Sequence, residues 1–176
     1  MARIIFSWIG GNDWHSCDAK KDSGPILATV SDKQFGEPDE IHLINNYPDK
    51  TSEVFKKWLS KKVSSKIVCS DVRLTSPTNW REVYECVIDV VEPFEGDEHE
   101  LVFLCSPGTF VMSSVWILVS QTKFQAQLLE SSIEAGVVEI DVPFDISADY
   151  LRDEKRRAAQ LGSDTASPKA FSDIQY

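Results

Sequence analysis

The stretch from Glu100 to Phe124, ELVFLCSPGTFVMSSVWILVSQTKF, passes from a short apolar run through Ser106-Pro107-Gly108-Thr109 into an apolar run too long for a second strand. A short apolar run bounded by turn residues reads as a buried strand, and a long one beyond a Pro-Gly break reads as a helix. The segment therefore predicts a strand, a tight turn and a helix. In an open parallel sheet, the turn beyond a strand's carboxyl end faces the ligand crevice. The helix that follows directs unsatisfied backbone N–H groups at anionic groups. On these four residues alone two readings stay open. One is an ordinary strand-to-helix turn, with Gly108 as the permissive residue and Thr109 as N-cap. The other is a ligand site.

A second turn of the same kind adds weight to the ligand reading. Arg3 to Ile9 (RIIFSWI) is another short apolar run, followed by Gly10-Gly11-Asn12-Asp13-Trp14. The first and fourth strands of a doubly wound sheet commonly flank its topological switch point, so both turns would line one crevice.

Strands and helices alternate along the rest of the chain. After a polar loop through Ser23, Pro25 suits the first turn of a helix over Ile26 to Phe35. Glu40 to Asn46 reads as the second strand. Thr51 to Val63 reads as an amphipathic helix with Val54, Phe55, Trp58 and Leu59 on one face, capped by Thr51 or Ser52. Lys66 to Leu74 is the third strand, and Trp80 to Val91 a third helix capped by Thr78 or Asn79. Beyond the opening unit, Gln127 to Ser131 and Val137 to Val142 read as strands five and six. The break between them is too short for a helical crossover and predicts a hairpin. Asp149 to Leu161 reads as a charged helix, and Gly162 to Pro168 as a linker. The fold class expected is α/β: a Rossmann-like three-layer sandwich with a mostly parallel six-stranded sheet and a C-terminal antiparallel hairpin.

At 176 residues the chain fits one domain, and a domain of that size buries roughly 70% of its unfolded surface. Cys17, Cys69, Cys86 and Cys105 are widely spaced, with no zinc-type pairing, which fits reduced thiols in a cytoplasmic protein. Cys69, Cys86 and Cys105 lie inside apolar patterns and are expected in the core. No apolar run reaches the roughly 18 residues of a membrane span, and the N-terminus shows no signal-peptide pattern, so no membrane partner is expected. A net charge of −10 argues against direct binding of duplex DNA. It leaves room for a small nucleotide, because backbone N–H groups and hydroxyls hold phosphates on acidic proteins. Gly10-Gly11 and the lone Gly108 do not form GxGxxG, which disfavours a dinucleotide enzyme.

With the order of elements in place, SPTNWREVYECVIDVV, ELVFLCSPGTFVMSSVWILV, QAQLLESS and VVEIDVPFDISADYLRDE resemble the CRISPR-associated Rossmann-fold (CARF) sensor domains. Within that family the chain is similar to the N-terminal sensors of RNA-repair transcriptional regulators. The likeness covers most of Ser76 to Glu154, and the N-terminal third matches mainly in its first strand and glycine turn. Ser106-Pro107-Gly108-Thr109 stands where the family carries a Gly-Thr-type turn, with Phe110 where a basic residue is common. Ala170-Phe171-Ser172-Asp173-Ile174 resembles the opening of the AAA+ ATPase of activators of the alternative sigma factor.

The resemblance implies a sensor domain over 1–147, a signalling helix over 148–162, and over 163–176 a linker with the start of an attached AAA+ domain. It implies a homodimer that binds a cyclic oligoadenylate or an RNA end in a central groove, with no cofactor and no metal. Carried over residue by residue, the ligand-binding positions are Ser7, Gly10, Gly11, Asn12, Asp13 and Trp14 from the first turn. The second turn supplies Ser106, Pro107, Gly108, Thr109, Phe110 and Ser113. Hydroxyls and backbone amides would hold phosphate or ribose. Trp14 would stack on a base, a contact worth about 1–3 kcal/mol, whereas Trp8 is expected in the core. No catalytic residue is assigned. The alternative is a ring nuclease that cleaves cyclic oligoadenylate, with Ser106 and Thr109 as stabilising donors. His15 beside the first turn reads as solvated, and the acidic run Glu95, Asp97, Glu98 and Glu100 as surface.

Overall fold

Alternating strands and helices build one mixed sheet covered on both faces. The computed structural model describes residues 1–48, 50–96 and 98–143, and Met1–Asp141 form one compact unit. In chain order the elements are β1 (Ala2–Trp8), α1 (Gly11–Asp18), α2 (Pro25–Val30), β2 (Glu40–Asn45), α3 (Thr51–Leu59) and β3 (Lys66–Asp71). They continue with α4 (Trp80–Val91), a 3₁₀ turn (Glu92–Phe94), β4 (His99–Leu104), α5 (Phe110–Thr122), β5 (Ala126–Ser132) and β6 (Gly136–Glu139).

The strand order is β3-β2-β1-β4-β5-β6. All neighbours run parallel except β5 and β6, which pair antiparallel through Leu129 with Glu139 and Ser131 with Val137. The sheet grows from β1 outwards to β2 and β3, and the chain then crosses to the other side of β1 for β4. The topological switch point therefore lies between β1 and β4, as in other doubly wound sheets.

Alternation along the central strands feeds two cores. Ile5 and Ile9 of the first strand segment, Ile41 and Leu43 of β2, and Val102 and Leu104 of β4 pack with Cys17, Ile26, Leu27, Phe55 and Leu59 from α1, α2 and α3. The opposite face carries Phe6 and Phe103, with ring centroids 5.9 Å apart. Phe103 in turn lies 4.7 Å from Trp116 of α5. Edge-to-face and tilted aromatic pairs of this kind contribute about 0.5–1.5 kcal/mol beyond the area they bury. Trp8 and Trp116 are both fully buried, so the expectation of Trp8 as core holds.

Several boundaries differ from the sequence pattern, each for a local reason. The expected polar loop after Gly11 begins as a helix, α1, because the Asp13 carboxylate accepts from the Gly10 N–H, the half of a capping box open to a glycine N-cap, and organises a polar octapeptide with little apolar periodicity. Helix α2 stops at Val30, short of the expected Phe35, and α3 stops at Leu59, short of Val63. Neither Thr51 nor Ser52 caps α3. Lys50 occupies the cap in the left-handed region at φ 71°, and Ser52 instead donates to Asp71. Asn79 caps α4 as expected, its side chain accepting from the Glu82 N–H. Strand β3 ends at Asp71 and β6 at Glu139, earlier than expected. Cys105 is buried with Cys17, while Cys69 and Cys86 are only half-buried. The helix expected over Asp149 to Leu161, and the signalling helix, linker and AAA+ segments, lie outside the described residues. Among the described residues no helix is long and apolar enough to cross a membrane, and no cluster of potential metal ligands occurs.

Candidate functional site

The two glycine turns meet. A β-carbon on Gly10 would lie 3.0 Å from Pro107 Cβ and 3.1 Å from the Gly108 nitrogen, so the backbones after β1 and β4 touch across the switch point. A β-carbon on Gly10 would sit tighter against Pro107 and Gly108 than side chains ordinarily do, so its neighbours would have to give by a few tenths of an ångström. Gly108 has φ +100°, a conformation that a β-carbon strains. Its missing β-carbon would also lie 2.6 Å from the Met112 sulfur. Two helices, α1 and α5, start side by side at this junction, each with first-turn N–H groups that no helical carbonyl satisfies.

The second turn is held from several directions. The Met112 N–H donates to Thr109 Oγ1 (3.3 Å), and the Thr109 N–H donates to Met112 Sδ (3.4 Å), a capping box in which methionine replaces the usual Glu or Gln. Thr109 Oγ1 donates its proton to the Pro77 carbonyl (2.8 Å), tying α5 to the loop before α4. Ser113 Oγ donates to the Cys105 carbonyl (2.5 Å). Ser106 Oγ accepts from the Ser131 N–H and keeps its own proton. The hydroxyls expected to grip a ligand therefore mostly secure the turn. Thr109, with its proton engaged, is poorly placed as a stabilising donor for ring cleavage.

The first turn behaves similarly. Ser7 is 1% exposed and its hydroxyl donates to the adjacent Trp8 carbonyl (3.0 Å), so it faces the interior and not the crevice. Asp13 is also 1% exposed. Its Oδ2 accepts from the Gly10 N–H (3.3 Å) and its Oδ1 from the Ile26 N–H (2.8 Å), which staples the glycine turn to the start of α2. Burial pushes the Asp13 carboxyl up to about 6 against the pull of those N–H donors. Both side chains are therefore turned to partners within the chain, Ser7 to the Trp8 carbonyl and Asp13 to the Gly10 and Ile26 N–H groups. Trp14 is half-buried against the α1–α3 core, which leaves only part of its ring for stacking. Gly11, Asn12, Gly108 and Phe110 are exposed at the junction, Phe110 at 80%. His15 is exposed on α1.

Motif reading passed over the residues beyond β2. This strand neighbours β1, so its end forms the other flank of the first turn. Asn45 is fully buried. Its Nδ2 donates to Asp71 Oδ1 (2.6 Å), and Ser52 Oγ donates to Asp71 Oδ2 (3.0 Å). These bonds, with the Arg73 charge, hold the Asp71 carboxyl below its usual value. Next to them stands Tyr47. The signal was present in Asn45-Asn46-Tyr47, polar and aromatic residues at a strand's carboxyl end, but it carries no glycine to draw the eye.

A concavity of about 530 Å³ lies elsewhere, among Glu95, His99, Glu100, Lys123, Gln125 and Gln127 at the starts of β4 and β5. Parallel sheets bind ligands at the opposite, carboxyl ends of their strands, where the glycine turns are. The thiols are unsuited to nucleophilic chemistry, since burial raises Cys105 to about 12 and Cys69 to about 11.

No protein-family model matches the sequence, and no curated protein matches it significantly. Solved structures do match the fold. Csm6 of Enterococcus italicus, bound to cyclic hexa-2'-fluoro-hexa-dAMP, aligns with 93% of this chain at 16% identity and a TM-score of 0.55. Can2 of Sulfobacillus thermosulfidooxidans, in complex with cyclic tetra-adenylate, aligns with 78% at 10% identity and a TM-score of 0.57. The matched regions make up 39% of that Csm6 chain and 34% of that Can2 chain. At such identities the likeness is one of fold: the chain shares an α/β Rossmann-like architecture with both proteins.

Proposed function

We propose that this chain is a CARF-type nucleotide-sensing domain, which binds a cyclic oligoadenylate or an RNA end at the junction of its two glycine turns. The observation that carries the reading is the contact of Gly10 with Pro107 and Gly108, which sets two helix N-termini side by side at the switch point. Backbone N–H groups and helix dipoles are a suitable anion site on a protein of net charge −10. The fold shared with two proteins solved with cyclic adenylates supports that ligand class.

The domain works as a homodimer in this reading. Helix α5, Phe110–Thr122, contains no charged residue and is apolar on nearly every side, yet Phe110 and Leu118 are exposed on it. Trp80 and Tyr84 are exposed on the adjacent α4. Such a patch beside the crevice suits a second copy, which would complete a shared groove. In the longer protein, ligand binding would control an attached transcription-activating AAA+ ATPase.

The test is thermal stabilisation against cyclic tetra- and hexa-adenylate, linear RNA with a 2',3'-cyclic phosphate end, and NAD. A ligand at 100 times its dissociation constant adds about 2.7 kcal/mol. Stabilisation by an adenylate ring or an RNA end supports the proposal, and stabilisation by NAD alone, or by none of them, overturns it. Incubation with cyclic tetra-adenylate and analysis for linear products tests the ring-nuclease alternative.

A further inference from the structure

The polar groups at the end of β2 converge on one residue. The Tyr47 N–H donates to Asn45 Oδ1 (3.1 Å), and the Tyr47 carbonyl accepts from Asn45 Nδ2 (3.4 Å) and from Arg73 Nη1 (3.2 Å). Asn45 is itself fixed by Asp71, and Asp71 by Ser52. The ring packs against the α1–α3 core. Backbone and ring are thus held on both sides, which sets the direction of the phenol group. The hydroxyl has no hydrogen-bond partner among the described residues. It reaches the start of α1, 3.5 Å from the point that a β-carbon on Gly11 would occupy. Tyr47 is only half-buried and its hydroxyl is not among the buried unpartnered groups, so the satisfied network fixes the ring beneath a hydroxyl that stays open to a ligand.

We infer that Tyr47 is a ligand-contact residue of the crevice, whose hydroxyl donates to a phosphate or ribose oxygen of the bound nucleotide. The inference rests on the nucleotide reading of the glycine junction and adds to it a third wall, from β2. Burial, and then the neighbouring Asp13 carboxylate, raise the phenol above its ordinary value, so the hydroxyl keeps its proton at neutral pH and acts as a donor. A donor beside the positive end of α1 meets an anionic oxygen with both contributions aligned. Asn45 and Asp71 are positioning residues, acting through Tyr47.

The experiment is calorimetric titration of the wild-type chain and Tyr47→Phe with cyclic tetra-adenylate and cyclic hexa-adenylate, together with the ligand-free melting temperature of each. The substitution removes one oxygen and keeps the ring. The expected result is about tenfold weaker binding, equivalent to 1.4 kcal/mol, at an unchanged ligand-free melting temperature. Equal affinities in the two proteins overturn the inference and leave the nucleotide reading standing. Weaker binding with a lowered ligand-free melting temperature assigns the hydroxyl to the fold and also overturns it. If the wild type binds neither ring, the cyclic-adenylate form of the nucleotide reading fails and the role of Tyr47 in it is overturned as well.

Discussion

Replacing Asp13 by Asn tests whether a buried carboxylate with only N–H partners holds the first glycine turn. The folded-state pKa of about 6 lies above the ordinary 3.8, with desolvation as the leading cause. A raised acid binds more protons folded than unfolded between those values. Its contribution to stability is therefore complete below pH 3.8 and is lost as pH rises through 6. Two pKa units correspond to about 3 kcal/mol. Asp13→Asn keeps the shape and one acceptor but does not titrate, so it resembles the protonated acid. Glu40 and Asp71 are shifted the opposite way, by hydrogen bonds from His42 and Lys66 and from Asn45 and Ser52, and they favour the fold as pH rises. Both proteins carry them, so they cancel in the difference. Urea denaturation of the two proteins at pH 4 and pH 7 should show the stability difference moving by about 2 kcal/mol in favour of the variant at the higher pH, since at pH 4 the unfolded acid is already partly ionised. A difference that does not change with pH would refute the claim that burial, and not the N–H donors, governs this carboxylate.

Gly10→Ala should wedge the two turns apart, lowering stability by about 1–3 kcal/mol in chemical denaturation and abolishing nucleotide-induced stabilisation. Thr109→Ala removes the cap of α5 and the bond to Pro77, and should cost about 1 kcal/mol by the same assay. Phe110→Asp places a charge on the uncharged face of α5. Light scattering should show a dimer for the wild type and a monomer for the variant, and a wild-type monomer would remove the shared groove from the account.

The architecture was legible because its signals are local. Apolar runs of strand and helix length, Pro25, Asn79 and the Pro107-Gly108 break each mark an element by chain chemistry alone, and the short Ser132–Gly136 connection marks the terminal hairpin. Helix α1 was not legible, since its polar sequence has no apolar period and is organised by Asp13 reaching Ile26, thirteen residues away. The turns themselves were found through their glycines. The roles of individual side chains within them were not, because Ser7, Thr109 and Ser113 have the same chemistry whether they bind a ligand or a carbonyl of their own chain. Only the fold decides that Ser7 faces inward and that Thr109 reaches Pro77. Tyr47 was missed for the converse reason: its importance comes from Asn45 and Asp71 across two strands, and sequence spacing does not show that convergence.

The central claim is tested most directly by calorimetric titration of the wild type and Gly10→Ala with cyclic tetra-adenylate and cyclic hexa-adenylate. The account predicts saturable binding of one ring per two wild-type chains and no detectable binding to the variant. Binding that survives unchanged in Gly10→Ala, or a wild type that binds neither ring, would contradict a cyclic-adenylate site at the junction of the two turns.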